Sequence, residues 1–312
     1  MGNKKHLEKR AVVFAYSSIG RDCLEELLAA GVDVAAVFTH EDDPAEEKWF
    51  RSVRELAERG GLLVRAPEKL GEAETALIRA LRPDLIFSFS YRKVIPVSIL
   101  ELAPLGAFNI HGALLPRYRG RACVNWAVLN GETETGVTLH HMVERVDEGR
   151  IVDQEVVPID PNDTAHDVFK KMIPAAQRML RRSLSSILTG TARGREQDEP
   201  RATYFGRRRA EDGLIDWRKT AGEIHNLVRA VTHPFPGAFT FWRGKKLFVW
   251  EARPCGGSAA PGVVTSSSPL KVAAGDGVLR IERGQWSDEE ETKGDELGLL
   301  VGAELTGEAA GP

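Results

Sequence analysis

Apolar and β-branched residues form five short runs early in the chain, and segments of helical periodicity lie between them. Each run is continuous rather than alternating, which is typical of strands buried on both faces of a parallel sheet. The predicted strands are 11–16, 32–39, 62–65, 84–89 and 106–111, and the predicted helices are 21–30, 46–59 and 73–81. This β-α-β-α order predicts a doubly wound, Rossmann-like α/β domain.

The pattern changes after residue 111. Two strands are predicted at 135–142 and 151–156, joined through the turn Asp147-Glu148-Gly149, and a helix at 164–188 is interrupted by Pro174. The polar stretch 194–200 has the composition of a linker. Short strand patterns with Gly- and Pro-rich turns then follow at 238–242, 246–250, 262–265, 270–273 and 278–281. We therefore expect a small, OB-like β-barrel as the C-terminal domain.

These patterns predict four parts: a flexible arm (1–10), a catalytic domain (11–200), a barrel domain (201–305) and a tail (306–312). The length of 312 residues fits about two domains. Hydrophobic residues make up 42% and charged residues 28%, as in a globular protein, and the net charge of −3 does not favour a nucleic-acid partner.

The spacing of the three cysteines and the hydropathy of the chain indicate the cellular compartment in which the protein works. Cys23, Cys123 and Cys255 are too far apart for a disulfide framework or a zinc site, which favours a reducing environment. No run reaches the roughly 18 apolar residues that span a bilayer. We expect a cytoplasmic protein without membrane insertion, and no obligate protein partner is evident.

Common cofactor motifs are missing from the sequence. The junction 15–20 after the first strand has one glycine where the dinucleotide fingerprint needs three. His140 and His141 are adjacent on a predicted strand and point to opposite faces, so a core or surface role is expected for both. We therefore predict no metal and no dinucleotide.

Asn109 and His111 end the fifth predicted strand and share one of its faces. That edge is where α/β sheets bind ligands, and the turn holding Asp147 can return to it. An Asn amide can donate to a developing oxyanion, an imidazole can move a proton, and a carboxylate raises the imidazole pKa. These groups suit acyl transfer to an amine without a covalent enzyme intermediate. The alternative is a core histidine, a loop-capping Asn and a turn Asp.

A longer motif surrounds these residues. The run FNIHGALLPRYRGR at 108–121 and the run NGETETGVTLH at 130–140, extending to Asp147, resemble the signature of the folate-dependent formyltransferases. The likeness extends from residue 11 to about 300. It implies an N-terminal formyltransferase domain, a barrel-like C-terminal domain, and 10-formyltetrahydrofolate as the formyl donor.

The resemblance also implies residue roles. Asn109 would stabilise the transition state, His111 would donate a proton, and Asp147 would raise the pKa of His111. The implied folate site comprises Lys93, Val94, Ile95, Arg121, Val143, Glu144, Arg145, Val146 and Asp147. The family usually has other residues at the positions of Ala113, Cys123 and the pair Ser17-Ser18. The resemblance therefore does not specify the shape of the pocket for the amine substrate, expected to be a sugar.

Within the family, the sequence most resembles the enzymes of lipid A modification and polymyxin resistance that formylate UDP-4-amino-4-deoxy-L-arabinose. Arg208 and Arg207, in the motif FGRR at 205–208, are the expected pyrophosphate contacts, because guanidinium groups suit phosphate. Two small molecules, the nucleotide-linked amino sugar and formyl-folate, are then the expected partners.

Two alternatives stay open at this point. A methionyl-tRNA formyltransferase would need basic surface, and the acidic loop 41–47 is unfavourable for RNA. A non-catalytic relative that binds folate or a nucleotide sugar is the other alternative. The presence of all three catalytic residues disfavours it.

Overall fold

The computed structural model describes residues 9–42 and 48–307. Its first part contains a seven-stranded sheet and a two-stranded one. The strands are β1 (Arg10–Ala15), β2 (Asp33–Phe38), β3 (Val64–Arg65), β4 (Leu85–Phe89), β5 (Ala107–His111), β6 (Arg119–Gly120), β7 (Glu134–His141), β8 (Ile151–Pro158) and β9 (Tyr204–Phe205). The helices are α1 (Ser17–Ala29), α2 (Val53–Arg59), α3 (Glu72–Leu81), α4 (Val97–Leu100), α5 (Cys123–Leu129) and α6 (Ala165–Leu188).

β5 lies where the pairing of the large sheet changes direction. The strand order is β3-β2-β1-β4-β5-β7-β8, and the first five of these strands pair in parallel. β7 pairs antiparallel with both β5 and β8. A buried apolar cluster that includes Phe14, Phe38 and Ile86 packs this sheet. The predicted doubly wound α/β domain is confirmed, with an antiparallel hairpin added at one edge.

Two helices differ from their prediction. α2 begins at Val53 rather than at residue 46, because the Ser52 hydroxyl caps it by accepting the Glu55 N–H at 3.2 Å. Residues 46 and 47 of that prediction lie outside the described residues. α6 continues through Pro174 without interruption. Its fully buried residues, such as Met172 and Met179, hold the helix despite the missing proline N–H.

Two predicted flexible segments take part in the fold. In the segment 194–200, Arg195 exchanges backbone hydrogen bonds with Ile151 at 2.8 and 2.9 Å, and Gln197 is buried. Arg10, assigned to the arm, begins β1. Residues 1–8 of the predicted arm lie outside the described residues.

The second part is an antiparallel sheet with a helix. Its strands are β10 (Ala238–Trp242), β11 (Lys245–Cys255), β12 (Val264–Ser267), β13 (Leu270–Ala273), β14 (Val278–Trp286) and β15 (Thr292–Lys293), and its helix is α7 (Ala221–Val231). The order is β10-β11-β14-β13-β12, with β15 beside β14. The segment 302–306 bonds to Phe241 on one edge strand and to Val264 on the other, which closes the predicted small barrel. Thr306, assigned to the tail, lies in this closure, and residues 308–312 are outside the described residues.

The chain forms two compact units that interleave along the sequence. The first comprises residues 1–123, 134–158 and 169–205, and the second comprises 124–133, 159–168 and 206–312. The contiguous boundaries expected from the sequence stay a prediction. Among the described residues, every helix is too short or too polar to cross a membrane.

Candidate active site

β5 presents Asn109 and His111 on the same face, as the period of a strand requires. His111 is 6% exposed, and Asn109 is partly exposed. The Nε2 of His111 donates to the Tyr118 carbonyl oxygen at 2.7 Å, and its Nδ1 is 3.5 Å from Asp147 Oδ2. The three predicted catalytic residues therefore converge at the carboxyl end of β5.

The turn between β7 and β8 brings Asp147 to this place. Asp147 has a φ of 61°, which is uncommon for a residue other than glycine. Its Oδ2 accepts the Gly120 N–H at 2.9 Å. A Cβ at Gly149 would lie 1.7 Å from the His141 carbonyl oxygen, so only glycine permits the turn to pack against β7.

Electrostatics make His111 and Asp147 an ion pair. Burial alone would lower the pKa of His111, but the Asp147 carboxylate, the Cys123 thiol and the Tyr118 carbonyl raise it to about 10. Burial alone would raise the pKa of Asp147, but the charge of His111, the neighbouring His140 side chain and the Gly120 N–H hold it well below its usual range. His111 is thus an imidazolium at neutral pH, as an acid catalyst requires.

Cys123 departs from the family pattern within this cluster. Its side chain lies near enough to His111 to contribute to the raised pKa of that ring. The residue that departs from the family pattern therefore lies beside the predicted proton donor.

His140 belongs to the cluster as well, although the sequence predicted a core or surface role. Its Nε2 is 3.0 Å from Asn109 Nδ2 and 3.6 Å from Asp147 Oδ1. The neighbouring His141 is only partly buried, and its ring packs 4.7 Å from that of Phe108. The two histidines do point to opposite faces, but only their pairing across strands reveals which one reaches the site.

A second network that the sequence did not predict supports the Asp147 turn. The Gln197 amide donates to the carbonyl oxygens of Asp147 and Gly149 at 2.6 and 2.7 Å. Its own oxygen accepts from Arg119 at 2.8 Å, and Arg119 also bonds Glu199 and Tyr204. Gln197 and Glu199 lie in the stretch that the composition marked as a linker, so polarity alone concealed their role.

Three of the segments assigned to folate meet beside the catalytic residues. Arg121 follows Gly120, which bonds Asp147, and its guanidinium donates to the Arg92 carbonyl oxygen at 3.4 Å. The next residue, Lys93, donates to the Pro67 carbonyl oxygen at 2.8 Å. This arrangement brings 92–93, 120–121 and Asp147 to one place.

The remaining residues assigned to folate differ in the solvent exposure of their side chains. Val94, Val143 and Val146 are 63%, 47% and 49% exposed. Glu144 and Arg145 are exposed too, and Arg145 lies 3.7 Å from Glu148. Ile95 is packed in the apolar core instead, so only its backbone is available to a ligand.

Arg207 and Arg208 lie in the second unit and differ in environment. Arg207 is exposed. Arg208 is half-buried, its guanidinium lies 4.7 Å from the centre of the Trp126 ring, and it donates to the Asp212 carbonyl oxygen at 2.9 Å. Its Nε is buried without a hydrogen-bond partner. Burial lowers the pKa of this guanidinium.

An amide, an imidazolium and, from the turn after β7, a carboxylate meet at the carboxyl end of β5, and these groups suit acyl transfer. Residues 9–184 match the family model described as formyl transferase, and residues 208–298 match its C-terminal domain. The chain belongs to the formyl transferase family. The predicted class, a one-carbon transferase that uses 10-formyltetrahydrofolate, is confirmed at this level.

Solved structures support the fold. The chain is 22% identical to the N-formyltransferase from Helicobacter canadensis in complex with folinic acid and dTDP-3-aminofucose, with a TM-score of 0.67 over 87% of this chain and 97% of that one. It is 21% identical to WlaRD, a sugar 3N-formyltransferase determined with dTDP and 5-N-formyl-tetrahydrofolate, with a TM-score of 0.67 over 91% and 99%. HypX from Aquifex aeolicus in complex with tetrahydrofolic acid is 18% identical, with a TM-score of 0.64 over 92% and 46%. At these identities the likeness concerns the fold.

Within the described residues, no group of three or more His, Cys, Asp or Glu side chains is arranged to hold a metal ion. The predicted absence of a metal cofactor stays a prediction.

Proposed function

We propose that this protein transfers the formyl group of 10-formyltetrahydrofolate to the amine of a nucleotide-linked 4-amino sugar, UDP-4-amino-4-deoxy-L-arabinose in particular. The observation that carries the proposal is the cluster of Asn109, the His111 imidazolium and Asp147 at the end of β5. The choice of this particular sugar rests on the resemblance of the sequence to the enzymes of lipid A modification and polymyxin resistance.

The cluster supports direct attack by the amine. The amine nitrogen forms a bond to the formyl carbon, and the carbonyl oxygen of the tetrahedral intermediate becomes an oxyanion. An N–H of Asn109 donates to that oxygen, and the positive charge of His111 stabilises it. The bond from carbon to N10 of the folate then breaks, N10 takes a proton from His111, and the proton that the amine loses restores the imidazolium.

His111 is the proposed source of the proton. Both of its nitrogens are engaged, by the Tyr118 carbonyl and by Asp147. Proton transfer therefore requires one of these contacts to open when the substrates bind. Asp147 supports the step by stabilising the imidazolium before transfer.

The proposed folate surface combines apolar and polar groups. Exposed Val94, Val143 and Val146 offer apolar contact for the pterin and the aryl ring, which suits a ligand site on an otherwise polar edge. Lys93, Arg121 and the backbone of Ile95 supply polar contacts, while Glu144, Arg145 and Asp147 complete the segment.

Arg208 is the proposed pyrophosphate ligand. A half-buried guanidinium with an unpartnered Nε is costly unless an anion completes its hydrogen bonds. Packing on Trp126 holds the group in place. Exposed Arg207 adds charge beside it.

The three cysteines are all free thiols, which supports the cytoplasm as the place of this reaction. Formyl-folate and the sugar nucleotide are its proposed small-molecule partners, without a nucleic acid, a membrane insertion or an obligate protein partner.

Incubation with 10-formyltetrahydrofolate and a panel of amines tests the proposal. The panel contains UDP-4-amino-4-deoxy-L-arabinose, dTDP-linked 3- and 4-amino sugars and methionyl-tRNA, with the formylated product measured by mass spectrometry. We expect the UDP-linked sugar to react fastest, with a rate that changes little between about 50 and 200 mM salt. Formylation of methionyl-tRNA alone, with the steep salt dependence of phosphate contacts, would overturn the assignment of the substrate.

A further inference from the structure

The pairing of β5 with β7 sets Asn109 directly opposite His140. His140 is 2% exposed, and its two ring nitrogens have different neighbours. Nε2 is 3.0 Å from the amide nitrogen of Asn109, and Nδ1 is 2.8 Å from the His141 carbonyl oxygen. A buried imidazole thus lies between the His141 backbone and the Asn109 amide.

These contacts indicate which nitrogen of the ring carries the hydrogen. A carbonyl oxygen only accepts, so Nδ1 carries the hydrogen and donates it to His141. Nε2 then has a lone pair and accepts one N–H of Asn109. Nε2 is 3.6 Å from Asp147 Oδ1, which is longer than a hydrogen bond, so its near partner is the Asn109 amide at 3.0 Å.

We propose that His140 is a positioning residue for formyl transfer. It accepts one N–H of the Asn109 amide, and this bond directs the second N–H toward the formyl oxygen. The inference rests on the proposed function, because the amide matters only if an oxyanion develops beside it.

The chemistry of the amide explains why an acceptor is needed at this place. An Asn side chain without a fixed partner can rotate by half a turn and exchange its oxygen with its nitrogen. In the reversed orientation, the amide oxygen would repel the oxyanion instead of donating to it. The lone pair of Nε2 excludes that orientation, because two acceptors cannot bond each other.

Three variants separate this role from a merely structural one. His140→Leu removes the acceptor, and His140→Gln restores an amide oxygen at about the position of Nε2. His141→Leu is the matched control, since His141 is adjacent on β7 and points to the opposite face. Steady-state kinetics are measured for both substrates in each variant, and circular dichroism checks the fold.

We expect His140→Leu to lower kcat by about 10- to 100-fold, the range for a misplaced catalytic group, with little change in either KM. His140→Gln should recover at least part of the loss, and His141→Leu should behave like the wild type. A folded His140→Leu variant with wild-type kcat would overturn the inference. If the wild-type protein formylates no amine of the panel, the proposed function fails instead.

Nitrogen-15 NMR of the wild-type protein gives a readout that needs no substrate and no folded variant. We expect the His140 ring to be the neutral form protonated at Nδ1, and one Asn109 amide hydrogen to show coupling to Nε2. A ring protonated at Nε2 would contradict the proposal, whatever the activity.

Discussion

Arg119 and Arg208 are both withdrawn from solvent, but they differ in how many of their hydrogen-bond donors have a partner. Arg119 is 0% exposed, and its guanidinium bonds the side chains of Gln197, Glu199 and Tyr204. Arg208 is half-buried, bonds one backbone carbonyl and keeps a buried Nε without a partner. Burial of a charged group therefore does not by itself indicate a ligand site. The number of hydrogen-bond donors without an acceptor distinguishes a structural arginine from one that is available to bind an anion.

The same distinction separates the two halves of the proposed reaction. Around Asp147 the protein supplies the partners, with Gln197, Gly120 and His111 holding the turn and its carboxylate. Such a site is organised before the substrate arrives, so its residues should affect kcat. Around Arg208 the ligand supplies a missing partner, so this residue should affect KM.

The largest expected effect is on the chemical step. Asn109→Ala and His111→Ala should each lower kcat by at least about 100-fold, because each removes stabilisation of the developing oxyanion. The KM for the sugar nucleotide should stay nearly constant. Steady-state assays on folded variants test this, and wild-type turnover in either variant would remove that residue from the mechanism.

Asp147→Asn should move the alkaline limit of activity to lower pH. The carboxylate raises the pKa of His111 to about 10, and without that charge burial lowers it. The acid form of His111 persists in the wild type until the pH rises through about 10, and the stability contributed by the raised pKa is complete below the ordinary pKa of about 6.5 and is lost between that value and about 10. In the variant the acid form is lost at lower pH. NMR titration of His111 in both proteins checks the shift, and equal pKa values would exclude the pairing.

Arg119→Met should destabilise the protein by about 2–3 kcal/mol, since it leaves Gln197 and Glu199 without their cation. Arg208→Met should change stability by less than about 0.5 kcal/mol, since it removes a poorly satisfied group. Urea unfolding of both variants measures the difference. Equal losses of stability would abolish the distinction between the two arginines.

The smallest kinetic effect should be that of Arg208→Met on the binding of substrate. We expect the KM for the sugar nucleotide to rise about tenfold, which corresponds to the loss of one charge-assisted bond to phosphate. The KM for formyl-folate should not change. Arg207→Met is the control on the exposed neighbour, and an equal rise for both substrates would argue against a pyrophosphate contact.

The periodicity of the chain and its motifs were enough for several conclusions. The spacing of Asn109 and His111 determined that they share a face of β5, because side chains alternate along a strand. The order of apolar runs determined the α/β architecture, and the long motif around these residues determined the family. These are local properties, and local sequence records them.

Contacts between distant residues were decided only by the tertiary structure. His140 pairs with Asn109 through the register of β5 and β7, and Gln197 reaches Asp147 from 50 positions away. Neither contact has a local signature, because a polar residue in a loop or on a strand looks the same whether its partner is water or a catalytic turn. Pro174 shows the converse, since a strong local signal for interruption was overruled by the buried face of α6. Sequence by itself determined which groups are proposed to perform the chemistry, and contacts between distant segments of the chain determined what holds those groups in place.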